Sequence, residues 1–367
     1  MNEEEFLNIL ALVRADGIGD VMAKKLITHF GSPEAVFSAK KRDLLQISGV
    51  GNSIISALSN KDIFVKSEQE IEFIKANNIE CLYFKNINYP AYLNHCYDAP
   101  ILLFKKGNVN FQSQKIISVV GTRQMTSYGK SVLDELFEGL KEYDPLIVSG
   151  LAYGVDIYAH RLAIKHNLQT VAVLAHGLDR IYPAVHKNVA VELLKKGGLL
   201  TDFWSNTNPD RENFVKRNRI VAGLSQATIV IESAEKGGSL ITADIANSYN
   251  RDVFAVPGRI SDTYSKGCNQ FIKTNRAAVL SSAKDLAYIL GWEKDIEKKK
   301  SIQKQLFVDL SSQEKEVYNY LLKEGKQQID MIALHCNLPT FKAASLLLNL
   351  ELKGAVKPLP GKIFEAI

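Results

Sequence analysis

A chain of 367 residues has room for two or three domains and a sizeable core. Its 46% hydrophobic and 23% charged content excludes fibrous and disordered classes. The balance of 45 Lys and Arg against 40 Asp and Glu, a net +5, admits a polyanionic partner without requiring one.

Residues 1–78 read as a helical domain. Two turns of one form punctuate it, Gly17-Ile18-Gly19 in RADGIGDVMAKKL and Gly49-Val50-Gly51 in LLQISGVGNSIISAL. In each, glycines bring the backbone close and a helix starts with free N–H groups, an arrangement suited to phosphate. The opening MNEEEFLNIL lacks the basic-then-apolar order of a secretory signal. No window approaches the roughly 18 consecutive apolar residues of a membrane span, so a cytoplasmic protein without membrane contact is expected.

Residues 79–292 change periodicity. After the short strand IECLYF and a second strand at Ile101–Phe104, strand and helix alternate from KIISVVG to SAKDLAYILGW, and several strands are apolar on nearly every residue. That pattern predicts an α/β fold, a doubly wound, Rossmann-like and mostly parallel sheet covered on both faces. Residues 293–305 are charged and core-free and read as a linker. Residues 306–367 give three helices and a hairpin, a winged helix, with Ser311 and Glu314 placed as a capping box. The four cysteines, Cys81, Cys96, Cys268 and Cys336, lack metal-ligand spacing and read as buried free thiols in a reducing compartment. No metal or cofactor is expected.

In such a sheet ligands bind beyond the carboxyl ends of the strands. The strand tails read Gly121-Thr122-Arg123, Ser149-Gly150-Leu151-Ala152-Tyr153-Gly154, His176-Gly177, Lys236-Gly237-Gly238-Ser239 and Pro257-Gly258-Arg259. A turn of backbone N–H groups beside a fixed guanidinium, as at Arg123, grips a phosphate. The densest positive charge is in PDRENFVKRNRIVAGLS, with Arg211, Lys216, Arg217 and Arg219 around Phe214 and Asn218. Cations at a helix N-terminus are unusual unless an anion is brought to them. Lys216 and Arg217 lie one turn before the apolar stripe Ile220, Val221 and Leu224, and are expected to reach out over the ligand edge. Phe214 offers a face to a base, worth roughly 1–3 kcal/mol in single-strand binders. Catalytic motifs are lacking: the chain has no Walker lysine motif and no nucleophile elbow. His160 reads as a structural histidine.

The ordered set SVVGTR, SGLAYGVDIYAH, HGLDRIYPAVH, ENFVKRNRIVAGLS, GGSLITA, DVFAVPG and SKGCNQFIK closely resembles the DNA-processing protein A family, DprA or Smf. The helical turns and the winged helix resemble its flanking domains. The resemblance implies a single-stranded DNA binder that protects incoming strands in natural transformation and loads a RecA recombinase on them. It also implies a homodimer, with a single-strand-binding protein as a further partner. Carried over by position, Arg123, Arg211, Phe214 and Lys236 are the expected contacts, with backbone amides of the strand-end glycines beside them. The helix carrying Leu286, Leu290 and Trp292 is the candidate dimer interface. The winged helix has few cations on KAASLLLNLELKG, so its partner, DNA or protein, stays open.

Two other readings remain. One is a nucleoside-monophosphate phosphoribohydrolase of the LOG type, whose loop is Pro-Gly-Gly-x-Gly-Thr-x-x-Glu. Here Lys236 replaces the Pro, and the Glu position falls on Asp244 or on Ile245, depending on the register. The other is a DNA-binding scaffold for a replication or cell-division partner.

Overall fold

The computed structural model describes residues 2–113, 115–292, 310–359 and 362–366; the expected linker at 293–305 lies outside them. The chain divides into two units, Met1–Asp295 and Ile296–Ile367.

The first unit is organised by a nine-stranded sheet. Its strands are β1 (Glu80–Tyr83), β2 (Leu102–Gly107), β3 (Ile116–Val120), β4 (Leu146–Ser149), β5 (Thr170–Val173), β6 (Gly198–Thr201), β7 (Ala227–Val230), β8 (Asp252–Ala255) and β9 (Ala278–Val279). Their order is β1-β2-β6-β5-β4-β3-β7-β8-β9. All pairings from β6 to β9 are parallel, whereas β1 and β2 extend one edge in antiparallel fashion. β3 is apolar at every position but Ser118. Ile116 and Val120 face one core and Ile117 and Val119 the other, because helices cover both sides of the sheet. The doubly wound sheet expected from the alternation is therefore present.

The chain moves outward from β3 through β4 and β5 to β6, then crosses back to place β7 on the other side of β3. At such a reversal the loops of β3 and β7 diverge and leave a crevice. The crossover is the helix Arg211–Leu224, which lies beside the helix Gly238–Ser248.

Six helices between Glu3 and Ala76 precede the sheet. They share a core with its antiparallel edge, where Ile9, Leu12, Leu26 and Ile27 meet Tyr83, Ile101, Phe104 and Trp204. Both Gly-h-Gly turns form: Gly17 and Gly49 have positive φ, and Gly19 and Gly51 precede helices as their N-caps. The first of those helix starts is not free for phosphate. Asp20 opens it, and its carboxylate accepts hydrogen bonds from the Ile101 N–H at 2.9 Å and from Arg219 at 2.9 Å.

Arg219 thus sits away from the crevice, contrary to its expected place in a binding site. Its guanidinium donates to Asp20 and, at 2.7 Å, to Asp202, and it also donates to the Asp98 carbonyl. It joins the helical region to the sheet. Leu286, Leu290 and Trp292 are likewise corrected as surface residues: all three are buried in the core on one face of the sheet. The Trp292 indole packs near Tyr143 and donates to Gln226 at 2.9 Å, so these side chains are not available to a partner.

In the second unit the Ser312–Glu324 helix begins with the expected capping box of Ser311 and Glu314. Helices Ile329–His335 and Thr340–Leu352 follow. β10 (Gln327–Gln328), β11 (Val356–Leu359) and β12 (Ile363–Ala366) form an antiparallel sheet in the order β10-β12-β11, the wing. No single helix among the described residues is long and apolar enough to cross a membrane.

Arg219 neutralises two carboxylates in a largely buried setting. Removing one partner of such a network leaves uncompensated charge, at a cost of about 3–5 kcal/mol. Arg219→Met is therefore expected to lower the first chemical-unfolding transition by about 3 kcal/mol or more; a loss below 1 kcal/mol shows that the tether is dispensable.

Candidate functional site

A cavity of about 400 Å³ opens in the crevice between the ends of β3 and β7. Four segments wall it: Gly121–Arg123 after β3, Gly150 to Asp156 after β4, the first two turns of the Arg211–Leu224 helix, and Ser233 to Thr242 after β7. Thr122, Arg123, Gly150, Ala152, Arg211, Phe214, Arg217, Asn218 and Lys236–Ser239 all line it. Residues expected from separate strand tails are thus brought into one place.

The β3 loop is held by Glu232, two residues beyond β7. Its backbone carbonyl accepts the Thr122 N–H at 2.8 Å, and its buried carboxylate accepts Thr126 N–H at 2.9 Å and Thr126 Oγ1–H at 2.5 Å. The carboxylate lies at the N-terminus of the Ser127–Leu140 helix, where the macrodipole favours negative charge. Arg123 therefore projects from a loop fixed at both ends.

The β4 loop lies directly behind it. Gly154 has φ +75°, and a Cβ there would run into the Thr122 and Arg123 backbone, so the position requires glycine for both conformation and space. Ser149 sits below the cavity, buried, donating to the Val119 carbonyl at 2.6 Å. Ser149 and Gly154 support the walls without lining them.

Arg217 departs from the expectation that it reaches outward. It shares the helix face of Ile220, Val221 and Leu224, so its stem is drawn under the cavity, where it is buried and donates to the carbonyls of Gly150, at 2.7 Å, and Val173. Burial pushes this guanidinium down to about 10, opposed by the nearby Asp156 carboxylate. Burial likewise raises Asp156, opposed by Arg217; the Asp156 carboxylate also accepts the Ala152 N–H at 3.4 Å. Arg217 is floor and scaffold. Lys216, at the margin of the same stripe, is exposed on the outer surface and does not line the cavity.

What remains facing the cavity is cationic. The Arg123 and Arg217 guanidinium carbons lie 5.4 and 5.9 Å from the Phe214 ring centroid, and Arg211 and Lys236 are exposed at the rim. Two helices, Arg211–Leu224 and Gly238–Ser248, start here, and neither N-terminus is capped by a side chain. Their N–H groups and positive dipole ends add to the guanidinium charge. Asp156 is the single carboxylate among the described lining residues, and it is committed to the floor. Asp244, the register candidate for a catalytic acid, points elsewhere and pairs with Arg276.

Sequence reasoning missed Ser233, Ile241 and Thr242 as lining residues. Ser239 Oγ donates to Ser233 Oγ at 3.0 Å, and Thr242 follows Ser239 by one helical turn, a spacing that could have indicated it. Among the described residues no group of three or more His, Cys, Asp and Glu side chains is placed to hold a metal ion.

The sequence of residues 80–291 matches the model of the DNA recombination-mediator protein A family. The chain belongs to the DprA family. Residues 307–362 match the DprA winged helix domain and residues 9–59 a SAM-like helix-hairpin-helix tandem. The DNA processing protein DprA of Bacillus subtilis is 34% identical over 248 residues, covering 67% of this chain and 82% of that protein. Among solved structures, DprA from Streptococcus pneumoniae superposes with a TM-score of 0.62 at 28% identity, over 77% of this chain and 97% of that one. DprA from Helicobacter pylori, whose structure concerns its single-stranded DNA binding mode, superposes with a TM-score of 0.52 at 28% identity, over 58% and 95%.

Because Glu232 anchors the Arg123 loop, Glu232→Ala is expected to speed amide hydrogen exchange in residues 122–129 at least tenfold while the β4 and β5 amides stay protected. Unchanged exchange in that segment would assign the anchoring to other contacts.

Proposed function

We propose that this protein grips the backbone of single-stranded DNA in the β3/β7 crevice and leaves the strand chemically intact. The observation that carries the reading is the convergence of Arg123, Arg211, Lys236 and two uncapped helix N-termini on one cavity whose single carboxylate among the described lining residues, Asp156, accepts the Ala152 N–H. Phosphate oxygens suit the guanidinium groups and the Gly238 and Ser239 amides, and Phe214 suits the face of a base. Gly121, Thr122, Ala152, Gly237 and Asn218 complete the wall.

A phosphoribohydrolase needs a free carboxylate beside the sugar. The ion pair of Asp244 with Arg276 and the buried setting of Asp156 favour binding over hydrolysis. The family's description as a recombination mediator supports the further proposal that the bound strand is passed to a RecA-type recombinase in the uptake of DNA, in competition with a single-strand-binding protein. In this reading a homodimer brings two crevices together, through a surface that excludes the buried Leu286, Leu290 and Trp292.

Each phosphate neutralised contributes about 0.7 to the slope of log affinity against log salt for a single strand. Arg123→Ala and Arg211→Ala are each expected to weaken oligothymidine binding and to lower that slope by about 0.7. Phe214→Ala is expected to weaken binding roughly tenfold with the slope unchanged. Binding indifferent to salt and to all three substitutions, or release of free base from AMP, would contradict the reading.

A further inference from the structure

We infer that the strand leaves the Arg123 pocket toward the β5 side of the sheet, where Tyr182 and Tyr153 form a second base-stacking position. The inference rests on the single-strand reading above and deepens it by giving the bound strand a direction.

A small second cavity adjoins the main one and shares Arg123, Gly150, Ala152 and Phe214 with it; its outer walls are Tyr153, Tyr182 and Pro183. The two tyrosines follow β4 and β5, so the loops after β5, β4, β3 and β7 line one edge of the sheet in that spatial order. β5 lies two strand spacings from β3, about 10 Å, so the tyrosine loops carry the ligand edge outward beyond the Arg123 loop.

Both tyrosines are large aromatic residues left about half exposed, Tyr153 at 49% and Tyr182 at 47%, beside a charged cavity. Isolated exposed aromatics need no explanation, but two flanking an arginine and a third aromatic at one ligand edge do. The rings are also held in place. Tyr182 lies 6.1 Å from Phe214, centroid to centroid, and inclined by 57°. Tyr153 meets the buried His186 ring edge-on at 4.9 Å, and His186 Nδ1 is fixed on the Leu151 carbonyl at 2.8 Å. A braced ring loses little entropy when a base stacks on it. Lys187, just after the same loop, is an exposed cation suited to the phosphate that follows; Arg180, on the loop itself, is half-buried and donates to Asp179 and Asn208.

The opposite exit, past the end of β8, is less suited to a polyanion. A larger basin of about 830 Å³ lies there, but it is lined by Asp262 and Glu232 against the single cation Arg259. The Tyr264 hydroxyl, donating to Gln124, stands between that basin and the Arg123 loop. Charge therefore directs the strand to the tyrosine side.

The test uses the full chain and oligothymidines of increasing length, with Tyr182→Ala, Tyr182→Phe and the Tyr153→Ala/Tyr182→Ala pair, each checked for an unchanged melting curve. Tyr182→Leu serves in place of Tyr182→Ala should the latter melt early. The affinity gained on lengthening the strand is expected to fall about tenfold in Tyr182→Ala and further in the pair, while Tyr182→Phe matches the parent, because stacking needs the ring and not the hydroxyl. A strand carrying photoreactive 5-iododeoxyuridine should crosslink to Tyr182 or Tyr153. If the tyrosine variants bind within twofold of the parent, or if crosslinks fall on Tyr264 or Tyr128, this path is wrong. In that event Arg123→Ala and Phe214→Ala still weaken binding if the single-strand reading holds, and fail to do so if that reading is itself at fault.

Discussion

The Glu232 residue joins the two halves of the crevice. Its position just beyond β7 lets its carbonyl bind the start of the β3 loop and its carboxylate bind the end, where the Ser127–Leu140 helix begins. Parallel pairing alone stops at the strand ends, and beyond the reversal between β3 and β7 the loops would otherwise diverge freely. With Glu232 in place, Arg123 is presented from a closed loop, the β4 loop packs behind it through Gly154, and the helix start after β7 faces it across the cavity. A carboxylate that is buried, hydrogen-bonded and set against a helix N-terminus thus positions a cation it does not touch.

Three of the four cations of one helix divide by depth, while the fourth, Lys216, is exposed on the outer surface. Arg211, at the first position, reaches the rim of the cavity. Arg217, six residues on, is drawn beneath it and spans the ends of β4 and β5. Arg219 turns to the opposite side and fastens the preceding helical region through Asp20 and Asp202. Of these three only Arg211 is free for a ligand, whereas the other two spend their charge on the fold. The positive potential of the crevice therefore depends on few side chains plus backbone dipoles, which suits a grip on a repeating backbone rather than on one particular base.

The fold was legible because several buried strands are nearly continuous apolar runs, and because strand and helix alternate at short intervals. The cavity walls were legible for a related reason: ligand contacts in such a sheet must come from strand ends, so Arg123 and Lys236–Ser239 could be picked out locally. The fates of Arg217 and Arg219 were not legible. Arg219 meets Asp20 across 199 residues of sequence, and Arg217 meets carbonyls 44 and 67 residues away, distances at which residue type and helical phase carry no information. Trp292 has the same character. It follows an exposed helix end carrying Tyr288, yet it folds back onto Gln226 and Tyr143.

The most direct measurement is a crystal structure of the protein with a short oligothymidine. The strand is expected across the β3/β7 crevice, with phosphate oxygens on the Arg123 guanidinium and on the Gly238 and Ser239 amides, a base on Phe214, and every glycosidic bond intact. A strand lying on the helical turns or the winged helix with the crevice empty, or a cleaved base held in the cavity, would contradict it.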